Sequence, residues 1–235
     1  MNNLIIHVPH SSISIPEEYR DQFTLTNDQL LKEACISADL HTDIIAKTAW
    51  PGATIIAAEF SRLLVDVERY ADDDLEAMAS VGRGMIYTHT HDGIDMRRPL
   101  KNNERKVLHE NFYIPHWKKM EFFAKNSCLI DLHSYPVEPW PVELSKESYR
   151  PEIDLGISDH KTPEKWAKAL KIYFEGCGYT IGFNTPYSGV IDAGARFAVM
   201  IELRRDIIGT PFSSKLWSRL IDALSNMPLC NDEYI

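Results

Sequence analysis

Short apolar, β-branched runs alternating with longer helical stretches predict an α/β protein, a three-layer α/β/α arrangement around a mixed, largely parallel sheet. Two further observations set its scale. A chain of 235 residues with 44% hydrophobic and 25% charged side chains buries one substantial core. No internal repeat, low-complexity tract or flexible linker divides it, so residues 1–235 read as a single domain.

The elements follow in order. Leu4 to Val8 is a β-branched run that reads as a strand. Helical periodicity covers Asp28 to Ala38 and Thr42 to Trp50, with Asn27-Asp28 supplying short polar side chains that suit a helix start. Ala53 to Ala57 is a second strand, and Leu63 to Asp66 and Met85 to Tyr87 read as two more short ones. A helix through roughly Glu104 to Ala124 leads to a strand at Ser127 to Leu132, which places His133 just as that strand ends. Val137 to Lys161 has no clear periodicity and reads as a long loop over the site. Thr162-Pro163 opens a helix to Glu175, Thr180 to Phe183 and Phe197 to Leu203 are strands, and a last helix spans Ser213 to Ser225.

A net charge of −9 argues against a nucleic-acid partner, because holding phosphates needs a surplus of Lys and Arg. The start, MNNLIIHVPHSS, has no basic segment followed by a long apolar one, and no stretch approaches the roughly 20 apolar residues that span a bilayer. Cys35, Cys128, Cys177 and Cys230 lie far apart without a CxxC pair. A soluble cytoplasmic protein with reduced thiols and no membrane partner is the expectation.

Chemistry concentrates where strands run into polar residues. In Leu129-Ile130-Asp131-Leu132-His133-Ser134-Tyr135 an apolar run meets a histidine, and Leu4-Ile5-Ile6-His7-Val8-Pro9-His10 repeats the pattern. Neutral imidazole on a rigid strand end suits a zinc ion, whose site tolerates little positional error. Of the two histidines in the first run, His10 lies past the strand and is preferred, while His7 falls inside it as a packed or edge residue. A third protein ligand is wanted, and Asp39 and Asp43, four residues apart, both qualify; one binds while the other orients a ligand, unless Asp39 is only a helix cap. Glu202, inside the apolar run Phe197 to Leu203, is costly to bury unless it serves as general base or pairs with a neighbour such as Arg204. Arg62, Arg69, Arg97 and Arg98 cluster near these motifs and suit an anionic small substrate, although Arg62 with Asp66 or Glu68 would be an ordinary bridge. Asp72-Asp73-Asp74 reads as a solvated loop.

Taken in order, PHSS at 9–12, DLHTD at 39–43, SRLLVDVER at 61–69, DLHSYP at 131–136, NTPYSG at 184–189 and IELRR at 201–205 resemble the N-formylglutamate amidohydrolase family over most of the chain. That family is related in fold to zinc carboxypeptidases and aminoacylase-type deacylases, so the resemblance implies a phosphorylase/hydrolase-like version of the three-layer fold. It implies hydrolysis of a linear amide in a small anionic N-acyl amino acid, N-formyl-L-glutamate to formate and L-glutamate, as in amino-acid degradation. Zinc, or another divalent transition metal, would be held by His10, Asp39 and His133, with Asp43 as the alternative or supporting carboxylate. Glu202 would activate the water and Arg69 would stabilise the oxyanion. Arg62, Arg97, Arg98, Asn184, Tyr187 and Arg204 would bind substrate, and His116 matches a family histidine without an assigned role. Two positions depart from the family's pattern: its Asp-Leu-Asn-Arg is Asp66-Val67-Glu68-Arg69 here, and its His-Ser-Gly is His10-Ser11-Ser12. Both touch the substrate pocket and leave open an amidase or carboxypeptidase-like hydrolase for another N-acyl amino acid or small peptide. From a different class, a non-catalytic binding protein on the same fold is the alternative.

Overall fold

The computed structural model describes residues 3–147, 149–191, 193–209, 212 and 214–234. Its centre is a six-stranded sheet in the order β2-β1-β3-β6-β4-β5. The strands are β1 (Leu4–Val8), β2 (Thr54–Ala57), β3 (Cys128–Tyr135), β4 (Ile153–Gly156), β5 (Ile181–Phe183) and β6 (Phe197–Arg204). Every pairing is parallel except that of β4 with β6, which makes the sheet mixed. Parallel strands need crossovers, and helices supply them: α1 (Asn27–Ser37) and α2 (Thr42–Ala49) lead to β2, α3 (Asn102–Leu108) and α4 (Ile114–Ala124) to β3, and α5 (Glu164–Gly176) to β5. A final helix, α6 (Lys215–Ser225), closes the fold.

Side chains alternate across each strand, so each contributes to two layers. On one face Ile6, Val8, Ile130, Leu132, Val199, Ile201 and Leu203 form the main core with α2, α5 and α6, through residues such as Ile45, Trp166, Phe174, Trp217 and Leu220. On the other face Ile5, Leu129 and Ala198 meet Met120 and Ala124 of α4. This second apolar layer ends before the strands do, and the same face continues into His7, Asp131, His133 and Glu202, all buried. The long segment between β2 and α3 forms no strand of that sheet. It is anchored by its own cluster, in which Leu63, Leu64, Val65, Met85 and Tyr87 pack against Leu30 and Ala34 of α1 and Leu108 of α3.

Several boundaries differ from expectation. Leu63 to Asp66 is a turn held by Leu64 N–H and Val65 N–H to Ser61 O, and near Met85 to Tyr87 only an isolated Arg83–Tyr87 bridge forms. Apolar content there serves the satellite cluster, which needs burial but no ladder. The stretch 137–161 contains β4, whose four residues are too few to show a period and whose Asp154 interrupts the apolar run. Strand β3 continues through Tyr135, so His133 stands within it. The helix expected over Glu104 to Ala124 is a continuous run from Asn102, with a wider π turn at His109–Tyr113 just ahead of Pro115, whose ring removes a backbone donor. Helix α1 begins one residue earlier than expected, because Thr26 caps it and Gln29 bonds back to the Thr26 N–H. The expected start of the last helix, Ser213, lies outside the described residues; Ser214 accepts from Trp217 N–H as the cap.

Candidate metal centre

Three elements bring His10, Asp39 and His133 together. β3 aims His133 off its polar face; the loop after β1 carries His10; and Asp39 N–H bonds to His10 O, tying the turn between α1 and α2 to that loop. All three side chains are buried. Asp39 Oδ2 lies 3.4 Å from His10 Nδ1 and 3.2 Å from His133 Nδ1, and the two imidazole centroids are 5.2 Å apart. Donors that share one tetrahedral ion at about 2.0–2.1 Å stand roughly 3.3 Å from one another, so these separations suit a single small cation. Tautomers agree with that use. His10 Nε2–H donates to Asp66 Oδ1 at 2.8 Å, which leaves Nδ1 with its lone pair, and Nδ1 is buried with no hydrogen-bond partner. Asp66 is itself held, accepting from Arg62 at 2.7 Å and from the Tyr87 hydroxyl at 2.6 Å.

The electrostatics separate the carboxylates. Burial alone would push Asp39 up, but hydrogen bonds from His10 and His133, with Arg62 nearby, hold it well below the usual carboxylate range. Asp66 is likewise held low by Arg62 and His10 against its burial. Glu202 goes the other way. It sits beside His133 in the β3–β6 register and beside Asp154 in the β6–β4 register. Burial pushes its carboxyl up to about 8, with Asp39, Asp154 and Glu68 adding repulsion that His133 only partly offsets. Its Oε2 is buried without a partner. The ion pair with Arg204 does not form, since Arg204 pairs with Asp206 at 2.8 Å. Asp154 is also raised, to about 7, by burial, while accepting from Thr185 N–H and Tyr187 N–H.

The other expected residues divide by position. Asp43 points away on α2 and pairs with Lys47 at 2.9 Å, its side chain 31% exposed. Asp39 caps nothing with its side chain; the residue before α2 is His41. Arg62 and Arg69 border Asp66, but Arg69 is held loosely, 3.8 Å from Asp66 and 3.8 Å from Glu76, and its Nε has no hydrogen-bond partner. Arg97 donates to the carbonyls of Leu63 and Leu64, and its burial, with repulsion from Arg105 and Arg98, brings its pKa down to about 9. Arg98 pairs with Glu104 at 2.7 Å. Asn184 braces two loops, accepting from Ile157 N–H and Gly189 N–H. Tyr187 packs edge-on to Tyr135, close enough to Glu202 that the carboxylate helps burial raise its phenol.

Residues passed over or left without a role also converge here. His7 Nδ1 lies 2.8 Å from Asp131 Oδ1, and its Nε2 is 2.8 Å from Nε2 of His116, which burial keeps neutral by bringing it down to about 3. Glu68 Oε2 is 3.2 Å from His133 Nε2. Arg205 donates to Ala38 O and stands 3.4 Å from Asp39 Oδ1. Two sequence signals could have found them: Asp66 and Glu68 flank Val67 in an apolar run, the pattern that singled out Glu202, and Asp131 lies two residues before His133 on the same strand face.

A family model described as N-formylglutamate amidohydrolase matches residues 2–209. Among solved structures, an N-formylglutamate amidohydrolase from Ralstonia eutropha JMP134 superposes with a TM-score of 0.74 at 20% identity, covering 96% of this chain and 91% of that one. A gene product of Agrobacterium tumefaciens superposes with a TM-score of 0.71 at 19% identity, covering 96% of this chain and 88% of that one. At these identities the likeness is one of fold. No curated protein sequence matches the chain.

Proposed function

The chain belongs to the N-formylglutamate amidohydrolase family, and on that footing we propose that it hydrolyses the amide bond of a small anionic N-acyl amino acid, N-formyl-L-glutamate first among them, using a divalent cation, zinc by preference, held by His10, Asp39 and His133. The observation that carries this reading is the convergence of those donors beside a buried carboxylate, Glu202, whose Oε2 has no hydrogen-bond partner among the described residues.

A divalent cation there supplies positive charge that polarises a carbonyl, acidifies a water and draws the Glu202 carboxyl back down toward ionisation at neutral pH. Glu202 accepts the proton released as the water oxygen bonds to the acyl carbon. It returns a proton to the amide nitrogen as the C–N bond breaks, so acid and amine leave and Glu202 ends as it began. Arg69, whose Nε has no hydrogen-bond partner, stabilises the oxygen that gains charge. The other expected arginines are engaged elsewhere, Arg97 with carbonyls, Arg98 with Glu104, Arg204 with Asp206 and Arg62 with Asp66 and Tyr87, which leaves Arg69 and Tyr187 of the expected residues for substrate contacts.

The test is metal removal. A chelator should abolish formate release from N-formyl-L-glutamate, and zinc added back should restore it; release from metal-free protein would overturn the scheme. Among the described residues no helix is long and apolar enough to cross a membrane. A panel of other N-acyl amino acids identifies the acyl group and side chain that the pocket prefers.

A further inference from the structure

Beside the triad lies a second group of donors, His7, Glu68 and Asp131, whose ligand atoms also fall within 4.8 Å of one another. Glu68 faces both groups. Its Oε2 is 3.2 Å from His133 Nε2 and 3.9 Å from His10 Nδ1, while its Oε1 is 3.5 Å from His7 Nδ1 and buried with no hydrogen-bond partner.

His133 links the two groups, with Nδ1 facing the first and Nε2 standing 3.0 Å from Asp131 Oδ1 and 3.2 Å from Glu68 Oε2. Within the second group His7 Nδ1 lies 2.8 Å from Asp131 Oδ1 and 3.5 Å from Glu68 Oε1, separations of the size that donors around one small cation adopt. His7 is supported for the same use: with Nδ1 turned to a cation, its Nε2–H donates to His116 Nε2 across the existing 2.8 Å contact.

We propose that this protein holds a second divalent cation between His7, Asp131 and Glu68, with the Glu68 carboxylate shared between that position and the one at His10, Asp39 and His133. The inference rests on the metal reading above for its first cation. Carboxylate and imidazole donors suit zinc, cobalt or manganese, and a shared carboxylate holds paired ions about 3.5–4 Å apart.

The test counts metal. Protein stripped with chelator and dialysed against cobalt should bind two equivalents per chain by elemental analysis, and Glu68→Asn should bind one, with the melting transition of the metal-free protein unchanged. Manganese-loaded parent should show the multiline resonance of a coupled pair, a readout that does not depend on any variant folding. One equivalent in the parent, or two retained by Glu68→Asn, would overturn the second position and leave the first intact. No binding at all would overturn both.

Discussion

Leu132 and His133 are chain neighbours in β3, as Ile201 and Glu202 are in β6, yet they live in different media. Leu132 and Ile201 point into the apolar layer under α2, α5 and α6, a continuous cluster of buried hydrophobic side chains. His133 and Glu202 point the other way, into a buried set of imidazoles, carboxylates and guanidiniums. The period of two residues lets one rigid strand do both tasks. Hydrocarbon burial on one face, worth about 1.5–3 kcal/mol per large side chain, holds the strand still. The opposite face then carries donors whose positions are set to within the tolerance of a metal site. It also carries charge that folding alone would reject.

The comparison breaks most sharply at Glu202. Glu202→Gln preserves shape and should lower hydrolysis by roughly 10²–10⁴-fold, with metal content and circular dichroism unchanged. A rate within a few-fold of the parent would remove Glu202 from the chemistry. Across the sheet, Leu132→Ala should cost about 2–5 kcal/mol of stability, read from the denaturant midpoint, while folded protein still binds its metal in full. Metal loss at parental stability would show that the faces are not independent.

A smaller effect has the opposite sign. With its pKa raised from 4.5 to about 8, Glu202 keeps a proton in the folded chain that the unfolded chain releases, so stability of the metal-free protein falls as pH rises through that window. In chelator near pH 8, Glu202→Gln should therefore be more stable than the parent by on the order of 1–3 kcal/mol, and the gain should vanish at about pH 4. Equal melting temperatures at both values would refute the account of a costly buried carboxylate. The smallest effect separates the two aspartates. Asp43→Asn disturbs an exposed pair with Lys47 and should change stability by less than about 0.5 kcal/mol and leave metal content alone. Asp39→Asn should lose the metal. The reverse pattern would exchange their roles.

Much of this was legible beforehand. The six-strand framework was readable except for β4, whose four residues inside 137–161 acquire meaning only by pairing with β6 and β5. Apolar content misled at Leu63 to Asp66 and Met85 to Tyr87, because burial under α1 and α3 and burial in a sheet demand the same residues. Charged side chains embedded in apolar runs marked Glu202 and could have marked Asp66 and Glu68.

By itself the sequence determined which face of each strand is apolar and where a polar residue interrupts it, since both depend on a local period. It thereby placed His10, His133 and Glu202 among the few groups able to do chemistry. Only the tertiary structure set Asp39 beside the two histidines and Asp43 beside Lys47, gave Arg97 to carbonyls, and set Glu68 between two groups of donors. Those choices turn on separations near 3 Å between residues far apart in the chain, such as Asp39 and His133, 94 positions apart. No local pattern encodes such a distance; it arises when packing on the opposite face brings the strands into register.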